Sequence, residues 1–258
     1  MSASGRSEAR SRRARASGGR APRAVNMTES TYRPAERRPL ASRDTSIAQR
    51  VAAWLIARSV SANSVSLSSM GFAALAAVCL VQTRTASDGT VRLLFVLAAL
   101  FVQLRLLANL LDGMIAVGSQ QASSIGELYN EVPDRVADVL ILVGAGFAAG
   151  GAPALGYQAA LVALLTAYLR ALGNSVGVRA LFAGPMAKPQ RMATITAACV
   201  YCACAPARWP GALASGHRGA ISFALAMIIA GGAVTAARRL RRVAAGLQER
   251  ASCLPPSR

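Results

Sequence analysis

The chain has very little lysine, histidine or acid. Its 29 basic residues are 28 arginines and one lysine, Lys188, and its 258 residues include one histidine, His217, and 11 acids. A histidine–cysteine zinc site has almost nothing to draw on. Cys199, Cys202 and Cys204 are closely spaced but lie in an apolar helical stretch without histidine, and read as small packing residues. Charge of either sign is absent from Ser59 to Thr83. With 53% hydrophobic residues, 16% charged and a mean hydropathy of +0.38, an ordinary soluble globular protein is excluded.

What is present is segregated. Residues 1–50 hold twelve arginines against Glu8, Glu29, Glu36 and Asp44, with hardly any apolar periodicity. The reading is a basic disordered tail over 1–45. About 45 polar and basic residues come before any apolar run, so no secretory leader is expected. Residues 1–26 are either part of that tail or lie upstream of a true start at Met27. Ile47, Val51, Trp54 and Leu55 recur at helical spacing beside Arg50 and Arg58, which suits an amphipathic helix on an anionic membrane surface.

Apolar stretches at 65–82, 93–111, 128–149, 155–172, 192–207 and 219–237 predict six spans. The expected fold is all-α: a six-helix membrane bundle over 46–242 with an N-terminal juxtamembrane helix, then a cytoplasmic tail over 243–258. Six spans place both termini on one side. The basic tail, Arg170, Arg179, Lys188, Arg191 and the pairs at 238–239 and 241–242 share that side, against Arg84, Arg92, Arg208 and Arg218 opposite. The positive-inside rule makes the first side cytoplasmic, in a plasma membrane of bacterial inner-membrane type. The net charge of +18 is therefore read as orientation and lipid affinity, with no nucleic-acid partner.

Of seven acids beyond residue 50, five lie between 112 and 138: Asp112, Glu127, Glu131, Asp134 and Asp138. Carboxylates entering a membrane are costly and tend to mark function. Glu127, Asn130, Glu131, Asp134 and Asp138 fall on one helix face, and Asn109 and Asp112 share a face on the preceding span. Oxygen ligands without histidine or cysteine favour Mg2+, Mn2+ or Ca2+ over zinc. The alternative is a solvated helix end whose acids offset nearby arginines. Arg105, inside the second span, faces the bundle interior or snorkels.

The run Asn109-Leu-Leu-Asp112-Gly113-Met-Ile-Ala116-Val117, followed after eight residues by Gly126-Glu-Leu-Tyr-Asn130-Glu-Val-Pro-Asp134, resembles the CDP-alcohol phosphatidyltransferase signature D-x2-D-G-x2-A-R-x8-G-x3-D-x3-D, with every spacing kept. Ser61-Ala62-Asn63-Ser64-Val65-Ser66-Leu67 is similar to the T-P-N-x-(V/L)-T-L that opens the family's first span. Asn109 and Asn130 stand at two signature aspartates and Val117 at the arginine.

The resemblance implies that Asn109, Asp112, Asn130 and Asp134 surround a pair of Mg2+ or Mn2+ ions. Glu127 and Glu131, on the same face, are candidates to restore lost charge, Glu131 as a further metal ligand. It further implies that Asp112, Gly113, Ala116 and Gly126 approach the CDP moiety and that Asp134 is the base. The donor would be a CDP-diacylglycerol-type lipid, the acceptor an alcohol, and the assembly a homodimer. Arg170, Lys188 and Arg191, at cytoplasmic span ends, are either membrane anchors or ligands for an acceptor phosphate. Two rivals stand beside the transferase: a pseudoenzyme that binds CDP-lipid, and a small cation-coupled transporter.

Overall fold

The computed structural model describes residues 46–118, 126–178, 184–205 and 219–252, all within the unit Pro34–Arg258. Seven α-helices and no strand occur among them: α1 (Ser46–Ala57), α2 (Ala62–Gln82), α3 (Asp88–Gly118), α4 (Gly126–Phe147), α5 (Pro153–Ser175), α6 (Lys188–Cys204) and α7 (Ala220–Ser252). Residues 1–45, expected as a basic tail, 119–125, 179–183 with Arg179, 206–218 with His217, and 253–258 lie outside the described residues.

The local causes are plain. The Ser61 side chain caps α2 by accepting from the Ser64 amide at 3.1 Å. Prolines sit in the first turns of α5 and α6, where an amide hydrogen is not needed. Four helices are long and apolar enough to cross a membrane: Ala62–Gln82, Gly89–Ile115, Pro153–Ser175 and Ala220–Arg250. The other two expected spans are helical as well, but α4 carries Glu131, Asp134, Arg135 and Asp138, and α6 has 17 residues. The last helix runs well past 237: arginine, alanine, leucine and glutamine keep helix propensity after hydropathy has fallen.

The contacts close a ring. α2 packs on α3 and α4, α4 on α5, α5 on α7, α7 on α6, and α6 back on α3, while α1 lies against α3. The interior is lined by small residues such as Ala73, Ala76, Ala98, Ala137, Ala145 and Ala159, with Phe95, Leu80, Ile141, Ile195 and Leu225 among the fully buried larger ones. Leu67, Leu93, Leu161, Tyr168 and Phe223 point outward, as lipid-facing side chains do. Lipid offers no hydrophobic drive between helices, so close van der Waals packing through small residues must hold the ring.

Gly146 of α4 and Gly156 of α5 show how close that packing is: a Cβ on Gly146 would lie 2.9 Å from the Gly156 Cα. A Gly146→Val variant should lose about 1–3 kcal/mol by overpacking, read as a lower melting temperature in detergent. Gly71→Ala is the control, since no atom lies within 4 Å of its Cβ position. At that end of the ring, the Thr83 hydroxyl accepts from the Ala149 amide at 2.8 Å, tying α2 to the α4–α5 turn.

Candidate active site

The opposite end of the ring is polar, and all six of its helices contribute. On α3, three residues one turn apart point inward: Arg105, Asn109 and Asp112. Arg105 is fully buried, so of its two expected positions the interior one is realised. Its Nη2 donates to Asp138 Oδ1 at 2.9 Å and to Asp134 Oδ1 at 3.4 Å, both on α4. Arg191 of α6 donates to the other oxygen of Asp138 at 2.6 Å. Asp138 is thus clamped between two guanidiniums with its side chain 2% exposed. An aspartate there is tolerable because both oxygens are neutralised by charged donors.

Asp134, one turn nearer the helix start, is held differently. Its Oδ1 accepts from the Asn109 side-chain amide at 2.9 Å, and its Oδ2 is ion-paired with Lys188 at the start of α6. Lys188 also donates to the Asn109 carbonyl oxygen at 2.5 Å. Asn109 therefore accepts from the lysine and donates to the aspartate.

Asp112 stands somewhat apart. Its Oδ2 accepts from the Ser66 hydroxyl of α2 at 2.6 Å, while Oδ1 is buried with no donor in hydrogen-bond geometry. Gly113 follows it, half-buried. At the rim, both oxygens of Glu131 are held by arginines: Oε2 by Arg135 at 2.6 Å, Oε1 by Arg170 of α5. The sequence-predicted residues Asn109, Asp112, Asp134, Lys188 and Arg191 are thus brought to one end of the bundle, with Glu131 and Arg170 at its edge. The side chains of Ala116, Gly126, Glu127 and Asn130 lie outside the described residues.

Three contributors escaped sequence reading. Ser66 is in the quoted motif, yet nothing marked its hydroxyl as the partner of Asp112. Thr166 accepts from Arg191 at 3.4 Å, and its carbonyl accepts from Arg239 of α7. A threonine among apolar residues on the buried face of α5, and an arginine on the buried face of α7, were the signals.

The described side chains offer a divalent cation one open carboxylate oxygen. The orphaned Oδ1 of Asp112 is the kind of donor an ion would take. Asp134 and Asn109, which would share a second ion, are already satisfied by Lys188, Arg105 and each other. Among the described residues no group of three His, Cys, Asp or Glu side chains could hold a metal.

The solved structures that share this fold are of a CDP-alcohol phosphatidyltransferase. The particular likeness is to phosphatidylinositol phosphate synthase (PgsA1) of Mycobacterium tuberculosis. With CDP-DAG bound, that protein matches at a TM-score of 0.62 and 16% identity, covering 77% of this chain and 94% of the other. Its complex with manganese and citrate matches at 0.61 and 16%, covering 76% and 88%. At such identity the likeness is one of fold. The inner membrane protein YnbA of Escherichia coli K12 is 27% identical over 139 residues, 54% of this chain, and the match spans 66% of YnbA, just under two thirds. No family model matches the chain. The four long apolar helices mark a membrane protein.

Proposed function

We propose that this chain is a membrane transferase that moves a phosphatidyl (phosphoalcohol) group from a CDP-linked lipid, such as CDP-diacylglycerol, to an alcohol, releasing CMP. The observation that carries this reading is the convergence of Asp112 and Asp134, at signature spacing, on the polar end of a phosphatidyltransferase fold. α4 and α6 complete six spans, α1 lies along the cytoplasmic surface, and the site opens to the cytoplasm, in keeping with the arginine distribution.

In this reading the acceptor oxygen attacks the lipid-side phosphorus, the bond to CMP breaks, and CMP leaves with the electron pair. The proton goes to Asp134 Oδ2, the oxygen held from one side by Lys188 while Oδ1 is held by both Asn109 and Arg105. Asp112 would anchor a Mg2+ or Mn2+ ion, which supplies charge neutralisation to the diphosphate when bound. Gly113, Ala116 and Gly126 give the nucleotide close approach to the backbone. Arg170, aligned by Glu131 at the rim, is the cation placed for an acceptor phosphate. Arg191 is committed to Asp138 and acts by positioning it.

Ser66→Ala removes a hydrogen bond to a charged carboxylate, a contact of about 1.5–3 kcal/mol. CMP release should fall about tenfold or more while the variant still folds. One observation favours a binding protein without turnover: Asp134 is neutralised by its own chain. Purified protein should be assayed for CMP release from CDP-diacylglycerol with a panel of alcohols, with and without Mn2+. Acceptor-dependent release is expected. Tight donor binding with no release for any alcohol would leave the pseudoenzyme.

A further inference from the structure

We propose that the Lys188 ammonium stands in the place of a divalent cation between residues 109 and 134, so that no second metal ion binds there. Lys188 then presents its remaining N–H to the donor's phosphate. The phosphate contact rests on the CDP-donor reading above; the replacement of the ion does not.

Three observations converge. First, the lysine touches two of the side chains that would share the ion: Asn109 Oδ1 at 2.5 Å and Asp134 Oδ2. An ammonium has three donors and uses two of them here, and the side chain is 19% exposed, so one N–H is left for a ligand. Second, the residue at 109 is suited to a site without that ion. An aspartate there would set a carboxylate against Asp134 at the 2.9 Å now spanned by the amide N–H, which demands a bridging cation. Asparagine instead accepts from Lys188 and donates to Asp134, so Asn109 and Lys188 act as a matched pair.

Third, among the described residues Asp134 and Asp138 already face three cations, Arg105, Lys188 and Arg191. A divalent ion at Asp134 would enter beside an ammonium and a buried guanidinium.

The helix itself does not explain the lysine. The first turn of a helix is the unfavourable end for a cation, yet the single lysine of the chain is the first residue of α6. Its partners compensate for that position.

The test is Mn2+ stoichiometry of the purified full chain in detergent, counted by electron paramagnetic resonance, with CDP-diacylglycerol binding measured in parallel. At most one ion per chain is expected. Asn109→Asp combined with Lys188→Ala should bind one ion more than the wild type. At saturating Mn2+, Lys188→Ala should bind the donor at least tenfold more weakly than the wild type, with Lys188→Arg recovering part of the loss. Two Mn2+ ions on the wild type, or unchanged donor affinity in Lys188→Ala, would overturn the proposal. Absence of CMP release alongside the single-ion stoichiometry would instead count against the transferase reading and leave the lysine's place intact.

Discussion

Asp138→Ala should lose about 3–5 kcal/mol of stability, the cost of leaving buried charges without their partner. Asp138 accepts from Arg105 at 2.9 Å and from Arg191 at 2.6 Å, joining α3, α4 and α6 through one carboxylate. Without it, two guanidiniums buried to 0% and 3% side-chain exposure face each other in the ring. Arg105 already carries two nitrogens, Nε and Nη1, with no hydrogen-bond partner, so it has little reserve. The measurement is a thermal melt in detergent, followed by size exclusion. A milder loss is expected for Asp138→Asn, which keeps one acceptor. A melt of Asp138→Ala within a few degrees of wild type would mean that the clamp does not hold the ring together.

The second large effect falls on activity. Asp112→Ala should lower CMP release by about 10²–10³-fold, the scale of losing one aligned electrostatic contact in an active site. Stability should fall less than for Asp138→Ala, because the substitution frees the Ser66 hydroxyl, at about 1–3 kcal/mol, and leaves no buried guanidinium without its carboxylate. The contrast between the two aspartates is the point. Asp138 is saturated by arginines and supports the architecture, whereas Asp112 is left half-satisfied and can receive something from outside. Assaying release and melting temperature on both variants separates the roles: Asp138→Ala should lose both, Asp112→Ala chiefly release.

Much of this was legible before any coordinates. Spacing alone put Asp112 and Asp134 on facing helix ends, because the 3.6-residue period fixes which side chains share a face. Apolar runs located all six ring helices, and their ends drifted where composition changed without a change in helix propensity, as after Arg238.

What the sequence left open were partnerships across large separations. Lys188 meets Asn109 across 79 residues, and Arg191 meets Asp138 across 53. Both cations read equally well as anchors or phosphate ligands from their position at a span end. Only the closure of α6 onto α3 turns Lys188 toward Asn109 and Asp134. Arg105 was undecided for the same reason: an arginine in a span buries itself only if a neighbouring helix supplies carboxylates, and α4 supplies two. Asn109 and Lys188 read separately as a lost ligand and an ordinary cation; together they form one contact.

The central claim, that the chain transfers a phosphatidyl group, is tested most directly by following the lipid-side phosphate. CDP-diacylglycerol labelled at that phosphate should be incubated with purified protein and an alcohol acceptor, and the products separated. The account predicts label in a new phospholipid, in an amount equal to the CMP released, and neither product from Asp112→Ala. Label that stays in CDP-diacylglycerol with every alcohol tried, or that appears as phosphatidate alone, would contradict it.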